Sequence, residues 1–380
     1  MSALDVNDNS AVYYQGNYWN NLECTIGLLN SRVSGDPAVN WWQHFAARIG
    51  RPFERALILN CGNGWVERDM IEAGFLKSAV GIDYSAELLD QARTAAGSMP
   101  LEYEQVNINK DPLPEGDFDV VINHAAAHHI TMVDRVFRDI CRLLPTDGWF
   151  ISFDYVGPHR NQYTTEAWDI AWTLNEQLPE RVRQTMVYPD LPTMLYDDPT
   201  EAVHSELILE TLKRYFRIDE FVPLGGAIAY PVLTHNRRLF SLESSVEREV
   251  WGQYVLDRDT EYLTANPEST LFAYFTAQPN KEALAEGPSL DKWQSDEQER
   301  EAEAASNGGK YGQPTLMQDL YGQINRLQQA NSDLGQQLEA IRSSYLYSHL
   351  AHALDRPSVR RMLETKLARR VMHRAKRSMS

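Results

Sequence analysis

Three residues have the types and spacing to hold a nucleotide-like ligand. Gly62 and Gly64 lie in Cys61-Gly62-Asn63-Gly64-Trp65, and Asp83 follows at about 20 residues' distance. Two glycines let the backbone approach a ligand closely, and the helix start behind them offers N–H groups. A carboxylate placed like Asp83 accepts both hydroxyls of a ribose. Position 67, where a dinucleotide-binding GxGxxG turn has its third glycine, is Glu. Its charge would face a pyrophosphate, which disfavours NAD. No set of Asp, His and Glu has metal-ligand spacing, so no divalent ion is predicted.

These residues need elements that position them. Ala56 to Asn60 is an apolar run of strand length, Val66 to Ala73 has a helical pattern, and Ser78 to Asp83 reads as a second strand. The order is strand, glycine turn, helix, strand, with an acid closing the second strand. That is the arrangement of an α/β, doubly wound sheet.

Composition bounds the rest. A chain of 380 residues, 43% of them apolar, has material for two to three folding units at roughly 150 residues each. Three cysteines without a CxxC pair support neither a disulfide framework nor a structural zinc site, and they suit a reducing cytosol. A formal charge of −17 opposes general nucleic-acid binding. The start MSALDVNDNS lacks the basic flank and apolar run of a secretion signal, and no apolar stretch approaches the roughly 20 residues of a membrane span. The expectation is a soluble cytoplasmic protein.

Charge also divides the chain. Residues 281–312 are acidic, Gly/Ser-containing and poor in large apolar side chains, which predicts a flexible linker. Over 313–346, Met317, Leu320, Ile324, Leu327, Asn331, Leu334, Leu338, Ile341 and Tyr345 recur in steps of three and four. That spacing predicts a coiled coil of about four heptads, hence a homo-oligomer. Over 347–380 the sequence turns basic, and from Arg342 onward ten Lys/Arg stand against Asp355 and Glu364, with Leu363, Leu367 and Val371 on one helical face. A basic amphipathic tail suits an anionic membrane surface or an acidic partner protein. Nucleic acid is the weaker fit, since no motif accompanies the charge.

LILNCGNGW followed by AVGIDYSAELLDQAR resembles the first and second motifs of class I S-adenosylmethionine-dependent methyltransferases. The resemblance departs from the family pattern at Asn60, where an acid is usual. It runs over roughly residues 45–280 and implies a Rossmann-like seven-stranded methyltransferase sheet. Phe118 to His124 then suits the fourth strand, Trp149 to Phe153 the fifth, Phe216 to Phe221 the sixth and Leu271 to Thr276 an antiparallel seventh. It implies S-adenosylmethionine as cofactor, held by Tyr18, Asn60, Gly62, Asn63, Gly64, Asp83, Tyr84, Asn107, Ile108 and Asn123. The domain reading is 1–45 as N-terminal cap helices and 46–280 as the methyltransferase domain, with insertions near 160–215 and 228–268.

Chemistry belongs outside the carboxyl ends of such strands. There the sequence offers His124, His128, His129, Asp154, Tyr155 and His159. Methyl transfer to a hydroxyl requires removal of its proton, and an imidazole titrates near neutral pH. His128 is the candidate base, with Asp154 as the alternative base or as the orienter of that histidine. The segment YVGPHRNQ and Asp198 to Ser205 resemble stretches of bacterial methyltransferases associated with surface-polysaccharide biosynthesis. Candidate acceptor contacts are His129, Tyr155, His159, Arg160, Gln162, Tyr196, Glu201 and His204; Trp168 and Trp172 are either sugar-stacking or core residues. The sequence thus points to a methyltransferase acting on a sugar hydroxyl of a bacterial cell-surface glycan, capping the chain at the inner membrane face. The alternatives are a methyltransferase of small natural products and a decayed scaffold that recruits glycan-assembly enzymes.

Overall fold

The computed structural model describes residues 17–189, 191, 194, 200–286 and 334. The basic tail, Tyr196 and the coil lie outside the described residues, apart from the helical, exposed Leu334. Of the expected linker only 281–286 are described, and they hold a short helix, Ala283–Glu286, with Lys281 Nζ donating to the carbonyls of Cys141 and Arg142. Seven strands form one sheet in the order β3-β2-β1-β4-β5-β7-β6. They are β1 (Ala56–Leu59), β2 (Ala79–Asp83), β3 (Leu101–Gln105), β4 (Val120–His124), β5 (Trp149–Tyr155), β6 (Phe216–Gly225) and β7 (Phe272–Pro279). The first five run parallel, and β7 inserts antiparallel between β5 and β6. The expected doubly wound, Rossmann-like sheet is present, with its antiparallel seventh strand.

Alternation along the strands builds two cores. Ala56 and Ile58 point into one cluster with Phe45, Phe53 and Met70, while Leu57 and Leu59 point into another with Val136, Phe137 and Phe150. All four β1 residues are buried, as a parallel strand covered on both faces requires. The order of β1 to β5 puts a reversal between β1 and β4, and the carboxyl ends at such a reversal are where a doubly wound sheet forms its ligand crevice.

Among the helices of the described residues are α1 (Glu23–Ser34), α2 (Trp41–Ile49), α3 (Trp65–Glu72), α4 (Ala86–Ala96), α5 (Val133–Leu143), α6 (Thr165–Gln177), α7 (Ile208–Tyr215), α8 (Ala229–Leu233) and α9 (Ser245–Ala265). Side-chain caps open α2, α4, α6 and α9. Asn40 and Gln43 cap each other's backbone at the start of α2, and Ser85 accepts from Leu88 N–H to open α4. Trp168 is 2% exposed in the core, which assigns it packing rather than sugar stacking. Trp172 is partly buried against the same cluster. Helices occupy both stretches expected to hold insertions, α6 and α7 in 160–215 and α8 and α9 in 228–268. Among the described residues no helix is long and apolar enough to cross a membrane.

Candidate active site

β1 delivers the chain into a left-handed turn. Asn60, Gly62 and Gly64 have φ of 41°, 57° and 75°. A Cβ at Gly64 would lie 2.5 Å from Tyr103 Oη and 2.9 Å from Glu67 Oε1, so both conformation and space require glycine there. Across the turn, the N–H groups of Gly62 and Ser85 each donate to the Asp83 carboxylate at 2.8 Å. These two bonds fix the carboxylate at the end of β2. Behind the turn, burial pushes the Glu67 carboxyl up to about 7, and burial together with Glu67 raises the Tyr103 phenol.

The turn reaches the next strand pair directly, because Asn60 Nδ2 donates to the Ala126 carbonyl at 3.3 Å. There Asp154, 0% exposed at the end of β5, organises the segment after β4. Its carboxylate accepts from Ala126 N–H at 3.1 Å, Ala127 N–H at 2.6 Å, Tyr155 N–H at 2.6 Å and Asn123 Nδ2 at 2.7 Å. His128 Nδ1 stands 2.5 Å from Oδ1, the oxygen that also accepts from Tyr155 N–H. Burial alone would raise this carboxyl, but attraction to His128 and the hydrogen bonds outweigh burial and hold it below the usual range. An ionised Asp154 can only accept, so Nδ1 of His128 carries a proton, and in the neutral ring Nε2 carries the lone pair.

The third component comes from the β5–β6 connection. Glu201 Oε2 lies 3.7 Å from His128 Nε2 and 4.0 Å from His129 Nε2. His129 Nδ1 donates to the Thr200 carbonyl at 3.0 Å, which fixes its tautomer in the same sense. Non-glycine residues with positive φ gather around this face: Ala125 at 51°, Arg160 at 52°, Ala202 at 50° and His204 at 55°. Each such conformation costs about 1–3 kcal/mol and persists where surrounding bonds hold it. Here those bonds come from Asp154 and from Arg160 N–H to the Ala202 carbonyl at 2.7 Å.

Several residues expected at the ligands do other work. Asn123 is fully buried and donates to Ser152 Oγ as well as Asp154, so it braces the orienter and does not face the cofactor. The Asn107 side chain turns back to accept from Asn109 N–H, closing its own loop, and Ile108 is 4% exposed. Tyr18 packs edge-on against His235 at 5.0 Å. Tyr84 is exposed at 45%, next to Asp83. Asn63 lies within the turn, where its carbonyl accepts from Arg68.

On the acceptor side, Tyr155, His159, Arg160 and His204 are all buried. Tyr155 donates to the Pro158 carbonyl, His159 accepts from His204 N–H, and Gln162 donates to the carbonyls of Arg160 and Pro189. These bonds lie within the frame around Glu201. Asp154 has both oxygens engaged out of water, by His128, Asn123 and three backbone N–H groups. His124 is stacked against Phe153 at 5.6 Å, and loss of hydration lowers it to about 4.

Residues 57–152 match the protein family described as a methyltransferase domain. Among curated proteins, the EEF1A lysine methyltransferase 4 of Bos taurus is 27% identical over 33% of this chain and 54% of its own length. The malonyl-[acyl-carrier protein] O-methyltransferase of Legionella pneumophila is 29% identical over 31% of this chain and 41% of its own length. The chain spans about half the length of the first of these relatives, and less of others. Among solved structures, an S-adenosylmethionine-dependent methyltransferase from Mesorhizobium loti covers 63% of this chain and 98% of its own at 18% identity and a TM-score of 0.36. The family match and the curated relatives support a methyltransferase that uses S-adenosylmethionine.

The donor set of the crevice fits that cofactor. A carboxylate pinned at the end of β2 suits a ribose diol, and the glycine turn lets the backbone approach an amino-acid tail closely. The residues that would hold it are Gly62, Asn63, Gly64, Asp83 and Tyr84, with Asn60 beside them. Glu201 is the contribution that motif reading underweights, because its neighbours His128 and His129 lie far from it in sequence.

Proposed function

We propose that this chain is an O-methyltransferase whose acceptor hydroxyl meets His128. The observation that carries this reading is the 2.5 Å contact between His128 Nδ1 and a buried carboxylate, on a segment bonded to the glycine turn through Asn60 and Ala126. When bound, S-adenosylmethionine supplies an electrophilic methyl group on a sulfonium. Asp83 and the glycine turn orient the donor; the His128 segment orients the acceptor. The Nε2 lone pair of His128 takes the hydroxyl proton as the oxygen attacks, and Asp154 stabilises the imidazolium that forms. Glu201 and His129 line the same face and accept or donate to neighbouring hydroxyls. A carboxylate acceptor would need no base, so an oriented imidazole favours a hydroxyl substrate.

The proposed acceptor is a sugar hydroxyl of a bacterial cell-surface glycan, methylated at the cytoplasmic face of the inner membrane and capping the chain. The polar groups of the His128–Glu201 face and the coil and basic sequence at 313–380 support this reading. Incubation of the purified chain with methyl-labelled S-adenosylmethionine and isolated glycan tests it. Label at the non-reducing end is the expected result. Label within the polymer removes the capping role, and transfer only to free soluble metabolites removes the glycan.

A further inference from the structure

The same face has a second chemical capacity. One ring nitrogen each of His128 and His129 and a carboxylate oxygen of Glu201 all lie within 4.8 Å of one another, and the nitrogen that each ring turns to Glu201 is Nε2. Ligand atoms around a tetrahedral ion with bonds of about 2.0–2.1 Å stand roughly 3.3 Å apart. The observed 3.7 and 4.0 Å separations to Glu201 exceed that only slightly. The Glu201 side chain is 25% exposed, so a small rotation of it closes the difference.

Tautomers decide whether such a cluster can bind metal. A metal-ligating histidine donates its other ring N–H to a carboxylate or a carbonyl, which turns the lone pair toward the ion. His128 does this to Asp154, and His129 does it to the Thr200 carbonyl. A second cluster, His159, His204 and Glu206, meets the distance criterion but not this one. His159 Nδ1 accepts from His204 N–H at 3.4 Å, which leaves the proton of the neutral ring on Nε2.

We propose that His128 Nε2, His129 Nε2 and the Glu201 carboxylate bind a divalent cation of the zinc type, with Asp154 and the Thr200 carbonyl orienting the two imidazoles. Two nitrogens and one oxygen suit zinc, nickel or cobalt over magnesium or calcium. The His129 and Glu201 side chains, 28% and 25% exposed, leave the fourth position open to solvent. The ion takes the lone pair that proton removal requires, so a bound ion and an acceptor hydroxyl compete for His128. The site is thus a point of inhibition by metal if the reading of His128 above holds. The binding itself does not depend on methyl transfer.

Calorimetric titration of the chelator-treated full chain with zinc chloride tests the binding without any activity assay. One ion per chain is expected, with affinity at least 10-fold lower in His129→Ala and Glu201→Gln and 10–100-fold lower in Asp154→Asn. Glu206→Gln should bind as the parent does. Absent saturable binding, or binding that survives both ligand substitutions, overturns the site. Loss in Glu206→Gln alone assigns the ion to the other cluster and overturns it equally. Cobalt(II) absorption of the parent provides a readout independent of variant folding, since imidazole–carboxylate coordination gives ligand-field bands that the aqueous ion lacks. Bands matching the aqueous ion would count against the proposal.

Discussion

At the scale of single residues, the candidate site separates groups that react from groups that hold them. His128→Ala should lower kcat by about 10²–10⁴-fold, the range for a lost general base. Asp154→Asn should lower kcat with little change in the affinity for S-adenosylmethionine, measured by calorimetry, because Asp154 orients His128 and bonds the segment after β4. Glu67 offers a different test. Its carboxyl rises from 4.5 to about 7 on folding, so the folded state holds a proton that the unfolded state has lost between those values. Stability therefore falls as pH rises through that window, by up to about 3 kcal/mol. Glu67→Gln should raise Tm at pH 8 and leave it nearly unchanged at pH 4, measured by thermal melts. Gly62, Gly64, Asp83, His128 and Asp154 were legible in the sequence because each stands next to a strand end whose apolar run marks it. Tyr155, His159, Arg160, Gln162 and His204 were not, because polarity predicts contact with a ligand whereas burial depends on how a distant segment folds back. Asn123 was misread for the same reason: a strand-end amide and a buried brace share one sequence appearance.

At the scale of elements, the most exacting contact lies away from the crevice. Asp259, 1% exposed in the middle of α9, accepts from the N–H groups of Gly226, Ile228 and Ala229 and stands 3.6 Å from Arg32. It therefore ties α9 to the end of β6, the start of α8 and α1. Asp259→Ala leaves Arg32 and three backbone donors without their carboxylate. Its cost should be about 3–5 kcal/mol by urea denaturation, the range for breaking a buried pair. Gly64→Ala tests the turn: a positive φ and a Cβ 2.5 Å from Tyr103 Oη should weaken both stability and cofactor binding, by at least 1 kcal/mol in stability. The sheet itself was readable from continuous apolar runs in β1, β2 and β4. β3 offered no such run, since Glu102, Glu104 and Gln105 face solvent along the sheet's edge. The bracing role of α9 was hidden because its buried positions include Gly252 and Asp259 and give it no clean apolar stripe.

At the scale of the whole molecule, charge and architecture set the expectations. A formal charge of −17 accompanies a basic stretch at 347–380, so that stretch is the part of the sequence suited to an anionic surface. Removal of residues beyond 312 should leave transfer to a free oligosaccharide unchanged and lower transfer to the same glycan on anionic vesicles, compared by label incorporation. Equal loss on both acceptors would assign the removed residues to folding instead. Glu201 comes from the chain between β5 and β6, whereas the glycine turn, Asp83 and His128 all belong to the first four strands and their connections. On the proposed function, one acceptor-side carboxylate is therefore carried apart from both the donor's residues and the base: exchanging the chain between β5 and β6 would redirect which alcohol is modified while the donor's grip stays as it was.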